Sequence, residues 1–258
     1  MQPMKIKKNI IQILCIPILD KKLRKNIRNT LINFSLKEYL YFKKLDYKII
    51  SLGGFCLPRV ITTAAGLKPK KIYGEKSCPF DICFHFNLKR IIECLNNNFI
   101  NYFDNISYDK NAKCWVNTYI SALYNHEGTF SKKEIITTYK KRIKNLINIL
   151  KTNKKVYFIY SHIWNDRNYP TKEDIYELYT TLKLKRGNKP FELILILSEE
   201  IKNINENNIH QIVLNDFNIN NPFWVEDFFN AENGKNVKKE TNKNAYFFIR
   251  DKLKEIIK

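Results

Sequence analysis

The second half of the chain alternates continuous apolar runs with a segment of helical periodicity, and this alternation constrains the fold more than any other feature. Residues 156–160, 191–197 and 209–214 are the apolar runs, and residues 171–185 have the spacing of an amphipathic helix. Strands that are apolar on both faces need helices on both sides, as in a parallel sheet. The sequence therefore predicts an α/β fold with a mostly parallel sheet flanked by helices.

The rest of the chain supplies further elements of the same kind. Residues 48–53 form a short apolar run that ends at paired glycines, which predicts a buried strand. Three segments have helical spacing, at residues 56–67, 88–103 and 131–151. Ser131 and Glu134 have the spacing of a capping box at the start of the third. A polar stretch at residues 230–244 predicts a surface loop, and residues 245–258 predict a closing amphipathic helix.

The length and composition fit one large domain. The chain has 258 residues, of which 44% are hydrophobic, so it can bury a substantial core. We expect a single α/β domain over residues 46–258, preceded by a basic amphipathic helical arm over residues 1–45. An α+β papain-like arrangement is the alternative fold.

The formal net charge of +20 has two explanations. Basic side chains neutralise phosphates, so a nucleic-acid partner is one of them. The other is codon usage in an AT-rich genome, since Lys, Asn and Ile are all abundant. The basic residues are scattered, without dense blocks or zinc-finger spacings. We therefore expect no nucleic-acid partner.

The arm carries the strongest local excess of cations. An apolar run between basic residues, within residues 5–28, suits the surface of an anionic membrane, although it is too short to span a bilayer. A helix packed on the protein body is the alternative. The segment also resembles the starts of bacterial enzymes that build surface polysaccharide, through Ile16, Pro17, Lys22, Leu23 and Arg24. We expect a cytoplasmic protein, with peripheral attachment to the inner face of the membrane as a further possibility.

The cysteines argue against a disulfide framework and against a zinc site. Six occur, at positions 15, 56, 78, 83, 94 and 114, and no pair has CxxC spacing. Free thiols in a reducing compartment are expected, with no metal. Neither a Walker loop nor a GxGxxG motif occurs, so no cofactor is expected.

A candidate nucleophile lies where the first predicted strand meets a helix. Gly53 and Gly54 form the turn, and Cys56 opens the helix. Unpaired amides and the helix dipole at this position favour a thiolate and could hold an oxyanion or a bound substrate. The alternative is that Cys56 is a small buried hydrophobe packed in a tight turn.

Other side chains are candidates for partners of this thiol. Asp81 follows a rigid proline turn, where it could orient a histidine, bind a substrate hydroxyl or cap a helix. His126 lies in a loop and is a candidate general base, with Glu127 beside it as a candidate to fix the imidazole or bind substrate. His162 follows the end of a strand, where ligand sites of α/β proteins cluster, and is the second candidate base.

These motifs occur in one ordered pattern: Ser51-Leu52-Gly53-x-x-Cys56, then Pro79-Phe80-Asp81, then His126-Glu127, then a helix with Lys141-Arg142. The pattern resembles a bacterial family of unknown function described as papain-like cysteine peptidases. The resemblance implies a Cys56 nucleophile, a His126 partner and Asp81 as an orienting acid. It implies a hydrolase or acyl transferase that acts on a peptide, glycan or small molecule.

Two other classes of function stay open. One is a transferase or sugar-modifying protein of capsule or lipopolysaccharide synthesis, in which residues 53–56 bind a phosphate or sugar and no cysteine is catalytic. The other is a non-catalytic basic protein that binds nucleic acid or an anionic membrane.

Overall fold

The computed structural model describes residues 20, 23, 25, 36–81, 84–85, 87–163, 169–215, 217 and 240–257. The membrane-surface segment predicted at residues 5–28 lies outside this part, apart from Asp20, Leu23 and Lys25. Cys15 and Cys83 also lie outside it. In the described part of the chain, no helix has the length and apolar character needed to cross a bilayer.

The described part of the chain contains eight strands and six α-helices. The strands are β1 (Tyr47–Ser51), β2 (Phe84–His85), β3 (Ile106–Asp109), β4 (Cys114–Asn117), β5 (Ala122–Tyr124), β6 (Lys155–His162), β7 (Phe191–Leu197) and β8 (Ile209–Val213). The helices are α1 (Leu36–Lys44), α2 (Leu57–Ala64), α3 (Leu88–Asn96), α4 (Lys132–Leu150), α5 (Lys172–Arg186) and α6 (Glu240–Ile256).

The chain divides into two compact units. The smaller unit consists of the residues up to Leu45 together with Pro69–Glu75. Within it, the Glu38 carboxylate on α1 accepts a hydrogen bond from the Tyr73 hydroxyl and pairs with Lys70 at 3.7 Å. The division of the chain into an arm and a domain at residue 45 stays a prediction.

The larger unit is built on a parallel sheet in the order β1-β6-β7-β8. Phe158 and Tyr160 of β6 join one buried cluster with side chains of α3, α4 and α5. Tyr157 and Ile159 alternate with them and are equally buried, while α2 packs on β1 and β6 and α6 packs on β8. Both faces of the sheet are therefore covered, and the predicted α/β class is confirmed.

The two longest internal helices begin at capping boxes. The Ser131 side chain accepts from the Glu134 backbone N–H, and Glu134 accepts from the Ser131 backbone in return, which confirms the predicted start of α4. Thr171 and Asp174 make the same exchange at the start of α5. Each pair satisfies N–H groups that a helix start otherwise leaves open.

A second sheet, which the sequence analysis did not predict, precedes α4 in chain order, with β2 before α3 and the other three strands after it. It is antiparallel, with the strand order β2-β5-β4-β3. Its strands are two to four residues long, and three of the four residues of β3 are exposed. Strands this short give no measurable alternation of apolar and polar residues, so periodicity does not detect them.

Two helix boundaries differ from the predicted ones by five residues or more. Helix α3 ends at Asn96 instead of residue 103, because Asn98 and Phe99 adopt left-handed φ values of 52° and 63°. The Phe99 N–H then donates to the Cys94 carbonyl at 2.9 Å, which closes the helix. Helix α6 begins at Glu240, so residues 240–244 are helical and not part of a loop.

Candidate active site

The turn between β1 and α2 has an unusual backbone. Gly53, Gly54 and Phe55 all have positive φ, at 101°, 70° and 66°. Glycine adopts this region freely, whereas Phe55 is strained in it. The Phe55 side chain is buried, so packing offsets part of that strain. This left-handed run turns the chain sharply out of the sheet, and Cys56 follows as the N-cap of α2.

The neighbouring strand β6 holds this turn in place. The Ser161 hydroxyl donates to the Gly54 carbonyl at 2.5 Å, and the Ser161 N–H donates to the Gly53 carbonyl at 3.3 Å. A Cβ atom added to Gly54 would lie 1.5 Å from the Ser161 carbonyl oxygen. Glycine is therefore required at position 54 for steric reasons, in addition to its φ.

The Cys56 thiol is half-buried at the start of α2. Burial raises the pKa of this thiol above its ordinary value of 9.0, and a hydrogen bond with the residue's own backbone only partly offsets that rise. The prediction that the helix start favours the thiolate is therefore wrong for this state, because desolvation outweighs the backbone amides. At neutral pH the thiol is protonated, so its activation requires a base.

Asp81 is fully buried and links the first turn of α2 to the segment that follows the helix. Its carboxylate accepts from the Cys78 N–H at 2.8 Å and from Lys68 Nζ at 3.2 Å. The Arg59 guanidinium, in the first turn of α2, lies 3.9 Å away. These contacts are to cations and an amide, so Asp81 positions the helix that begins at Cys56. That Asp81 also orients a histidine stays a prediction.

His126 and Glu127 share a 3₁₀ turn between β5 and α4, but they face opposite surroundings. His126 is exposed, whereas Glu127 is buried and its Oε1 lies 2.7 Å from the Arg142 guanidinium. Arg142 in turn stacks over the Tyr139 ring at 4.4 Å. Among the described side chains, no hydrogen bond joins the Cys56 thiol to the His126 ring. The roles predicted for His126 and Glu127 stay predictions.

His162 is the last residue of β6, directly after the serine that holds the glycine turn. It is buried, and its Nδ1 shares a hydrogen bond of 3.2 Å with the Tyr160 hydroxyl. Its ring packs edge-on against Tyr169, with centroids 5.3 Å apart. Because β6 is the strand beside β1, His162 and Cys56 lie at the same carboxyl edge of the parallel sheet.

The remaining thiols offer no second site in the described part. Cys56, Cys78, Cys94 and Cys114 are all free. Burial raises the pKa of Cys94 to about 12, which leaves its thiol unreactive. No group of three or more His, Cys, Asp and Glu side chains is placed for a metal ion among the residues described.

Several residues that shape the site were given no role in the sequence analysis. Arg59, Lys68 and Ser161 surround the Cys56 turn or its helix, and Arg142 binds the His126 turn. Only Arg142 had a signal, since it belongs to the helical pair Lys141-Arg142. The other three contact residues distant in sequence, which no local pattern indicates.

These observations define an α/β protein that carries a half-buried cysteine at its first strand–helix turn. The family model described as "Putative papain-like cysteine peptidase (DUF1796)" matches residues 47–200. The chain belongs to this family. The matched range runs from β1 to just beyond β7 and includes Cys56, Asp81, His126 and His162. Comparisons with curated proteins and with solved structures find no match.

Proposed function

We propose that the protein is a cysteine-dependent hydrolase or acyl transferase with Cys56 as its nucleophile. The observation that carries the proposal is the position of Cys56: it caps α2 at the carboxyl edge of the sheet, on a turn fixed by Ser161. Ligand sites of α/β folds cluster at this edge. Membership of the family supports the same chemistry.

The reaction follows from a thiol placed this way. A base removes the proton from Sγ, and the thiolate attacks the substrate carbonyl to form a tetrahedral oxyanion. That intermediate collapses to a thioester, and the leaving amine or alkoxide takes the proton from the base. Water then attacks the thioester and releases an acid, or an acceptor hydroxyl or amine takes the acyl group. Either route returns the Cys56 thiol.

Two histidines compete for the role of base. His126 is exposed and free to reach a substrate, and it is the partner that the resemblance implies. His162 is buried on the strand that holds the Cys56 turn, and its Nδ1 bonds to Tyr160. Catalytic hydrogen bonds often form only when substrate binds, so both stay candidates.

The start of α2 supplies the groups that would hold the oxyanion. Backbone N–H groups at a helix start have no partner within the helix, and they point toward the position that Cys56 occupies. Pro58 has no N–H, so the amides of Cys56 and Leu57 are the nearest candidates.

A second candidate function uses the same turn as a binding site and involves no reaction at the cysteine. The raised pKa of Cys56 favours it, because a protonated thiol is a poor nucleophile. In this case residues 53–56 bind the phosphate or sugar of a precursor for surface polysaccharide, and the enzyme is a transferase. The membrane-surface role predicted for residues 5–28 belongs to this candidate.

Acylation by p-nitrophenyl acetate separates the two candidates. The wild-type protein is expected to release a burst of p-nitrophenolate, with an acetyl group found by mass spectrometry on the peptide that contains Cys56. Cys56→Ala should abolish the burst, and loss of the true base should slow it by about 100-fold or more. His126→Ala and His162→Ala, compared in parallel, identify that base.

The controls use thiols of the same chain. Cys94 should stay unmodified because its thiol is buried and its pKa is about 12. Acetylation of Cys56 no faster than that of free cysteine, together with nucleotide-sugar binding that survives Cys56→Ser, would reject the nucleophile and favour the transferase.

A further inference from the structure

Strand β3 forms an open edge of the antiparallel sheet. The sheet order ends at β3, whose only strand partner in the described part of the chain is β4. Ser107, Tyr108 and Asp109 are all exposed. In an antiparallel ladder, alternate residues of an edge strand direct both N–H and C=O groups outward. This edge can therefore accept a further strand.

An aromatic patch borders this edge. The Tyr108 and Trp115 rings lie 5.4 Å apart, and Trp115 Nε1 donates to the Phe130 carbonyl at 2.7 Å. Tyr108 is 42% exposed and Phe130 is 36% exposed, so the patch faces solvent. Exposed aromatic side chains that pack on one another are typical of binding surfaces.

The patch lies beside the His126 turn. The turn packs so closely on the β3–β4 hairpin that a Cβ added to Gly128 would lie 2.8 Å from the Lys113 carbonyl oxygen. Phe130, whose carbonyl accepts the hydrogen bond from Trp115, lies four residues after His126 in the sequence. A ligand on β3 would therefore extend toward the candidate base.

Exposed lysines outnumber exposed carboxylates around this edge by four to three. Two exposed lysines, Lys110 and Lys113, lie in the β3–β4 turn. Two more, Lys132 and Lys133, lie in the first turn of α4 just after Phe130, and none of the four pairs with a carboxylate in the described part. Two of the nearby acids are engaged, since Asp109 accepts from the amides of Asn111 and Ala112 and Glu134 completes the capping box of α4, whereas Asp104 is exposed just before β3. Lysines in the first turn of a helix oppose its dipole, so an anionic ligand there would relieve an unfavourable arrangement.

We propose that the β3 edge binds an extended acidic peptide as an added strand. This inference rests on the proposed function in one respect, since it takes the bound peptide to be a candidate substrate of Cys56. Backbone groups of the peptide complete the ladder of β3, its acidic side chains meet the four lysines, and its apolar side chains pack on Tyr108 and Trp115. A nucleic acid would match the charge but has no backbone that can pair with a strand.

The test measures binding and requires no turnover. Full-length protein carrying Cys56→Ala is titrated against a fluorescein-labelled octapeptide of alternating Glu and Val, and fluorescence anisotropy gives the Kd. A Gln-for-Glu peptide is expected to bind at least tenfold more weakly. So is the Glu peptide with alternate backbone amides N-methylated, because it cannot complete the ladder.

Charge reversals locate the site. Lys110→Glu with Lys113→Glu should weaken binding of the Glu peptide at least tenfold, and Tyr108→Ser should weaken it severalfold. Lys151→Glu with Lys202→Glu, a matched pair of exposed lysines elsewhere that have no ion pair in the described part, should change the Kd less than twofold. The circular dichroism of every variant should match that of the parent.

Three results would overturn the inference. Equal binding of the N-methylated peptide excludes strand addition. An equal effect of the two charge-reversal pairs assigns binding to the net charge of the whole chain. Tighter binding of a single-stranded oligonucleotide, weakened by the same reversals, assigns the surface to nucleic acid. If Cys56 is not acylated but the peptide binds as expected, the proposed function is rejected and the peptide-binding surface at β3 is still supported.

Discussion

The guanidinium of Arg142 lies 2.7 Å from the carboxylate of Glu127, and both side chains are buried. The pair fastens the turn that carries His126 to the middle of α4. This ion pair explains why the Glu127 side chain is buried, whereas the neighbouring His126 is exposed to solvent. This geometry leads to the first prediction.

Arg142→Met should destabilise the protein by about 3–5 kcal/mol, because removal of one partner leaves the other charge buried. The double variant Arg142→Met with Glu127→Gln should recover part of that loss. Urea unfolding measures both. Lys252→Met, which breaks the exposed pair with Glu255, is the control and should cost no more than about 0.5 kcal/mol. An equal cost for the buried and exposed variants would contradict the structure.

Gly54→Ala should be far more damaging than Gly66→Ala. Both glycines have a φ near +70°, so both substitutions carry a left-handed strain of about 1–2 kcal/mol. A Cβ at position 66 meets open space, whereas one at position 54 collides with the Ser161 carbonyl. The midpoint of thermal unfolding and the acylation burst should both fall for Gly54→Ala, and only the midpoint for Gly66→Ala. Equal midpoints would mean that the turn does not pack on β6.

Alkylation of Cys56 by iodoacetamide should keep accelerating as the pH rises above 9.0, because burial raises the pKa of this thiol above that ordinary value. The thiolate fraction at neutral pH is correspondingly small. Peptide mapping after timed alkylation measures the rate, with Cys94 as an internal control that should stay unlabelled while the protein is folded. A rate that reaches its plateau below neutral pH would show a thiolate already formed without substrate.

Arg186→Lys should destabilise the protein even though it keeps the charge. The buried Arg186 guanidinium donates to five carbonyl groups, at Ile149, Leu150, Thr152, Lys154 and Pro190. An ammonium cannot reach them all, and the unsatisfied carbonyls should cost about 2–4 kcal/mol in urea unfolding. Lys183→Met, on the exposed face of the same helix, should change stability by less than about 0.5 kcal/mol.

The parallel sheet was predictable because its strands are long and buried on both faces. Residues 156–160 and 191–197 are continuous apolar runs, and the capping box at Ser131 and Glu134 is a local signal. The antiparallel sheet gave no such signal, because its short strands depend on contacts with one another. The early end of α3 was missed for a related reason, since Asn98 and Phe99 adopt left-handed conformations that tertiary packing permits.

The candidate site was predictable only as a set of chemical groups. The glycine turn and the cysteine at a helix start were evident from residues 53–56, and the structure has both. The direction of the shift in the pKa of Cys56 could not be predicted, because it depends on burial by residues distant in sequence. The ion pairs of Asp81 could not be predicted either, because its cationic partners Arg59 and Lys68 lie on or beside another helix.

The bond between Ser161 and Gly54 joins residues that are 107 positions apart. During synthesis, the segment that carries the thiol leaves the ribosome long before the strand that fixes its shape. The turn that carries Cys56 therefore reaches its final shape late, once residue 162 has left the ribosome and β6 can pack beside β1. Truncated products that stop earlier should carry the cysteine without the turn that positions it at the carboxyl edge of the sheet.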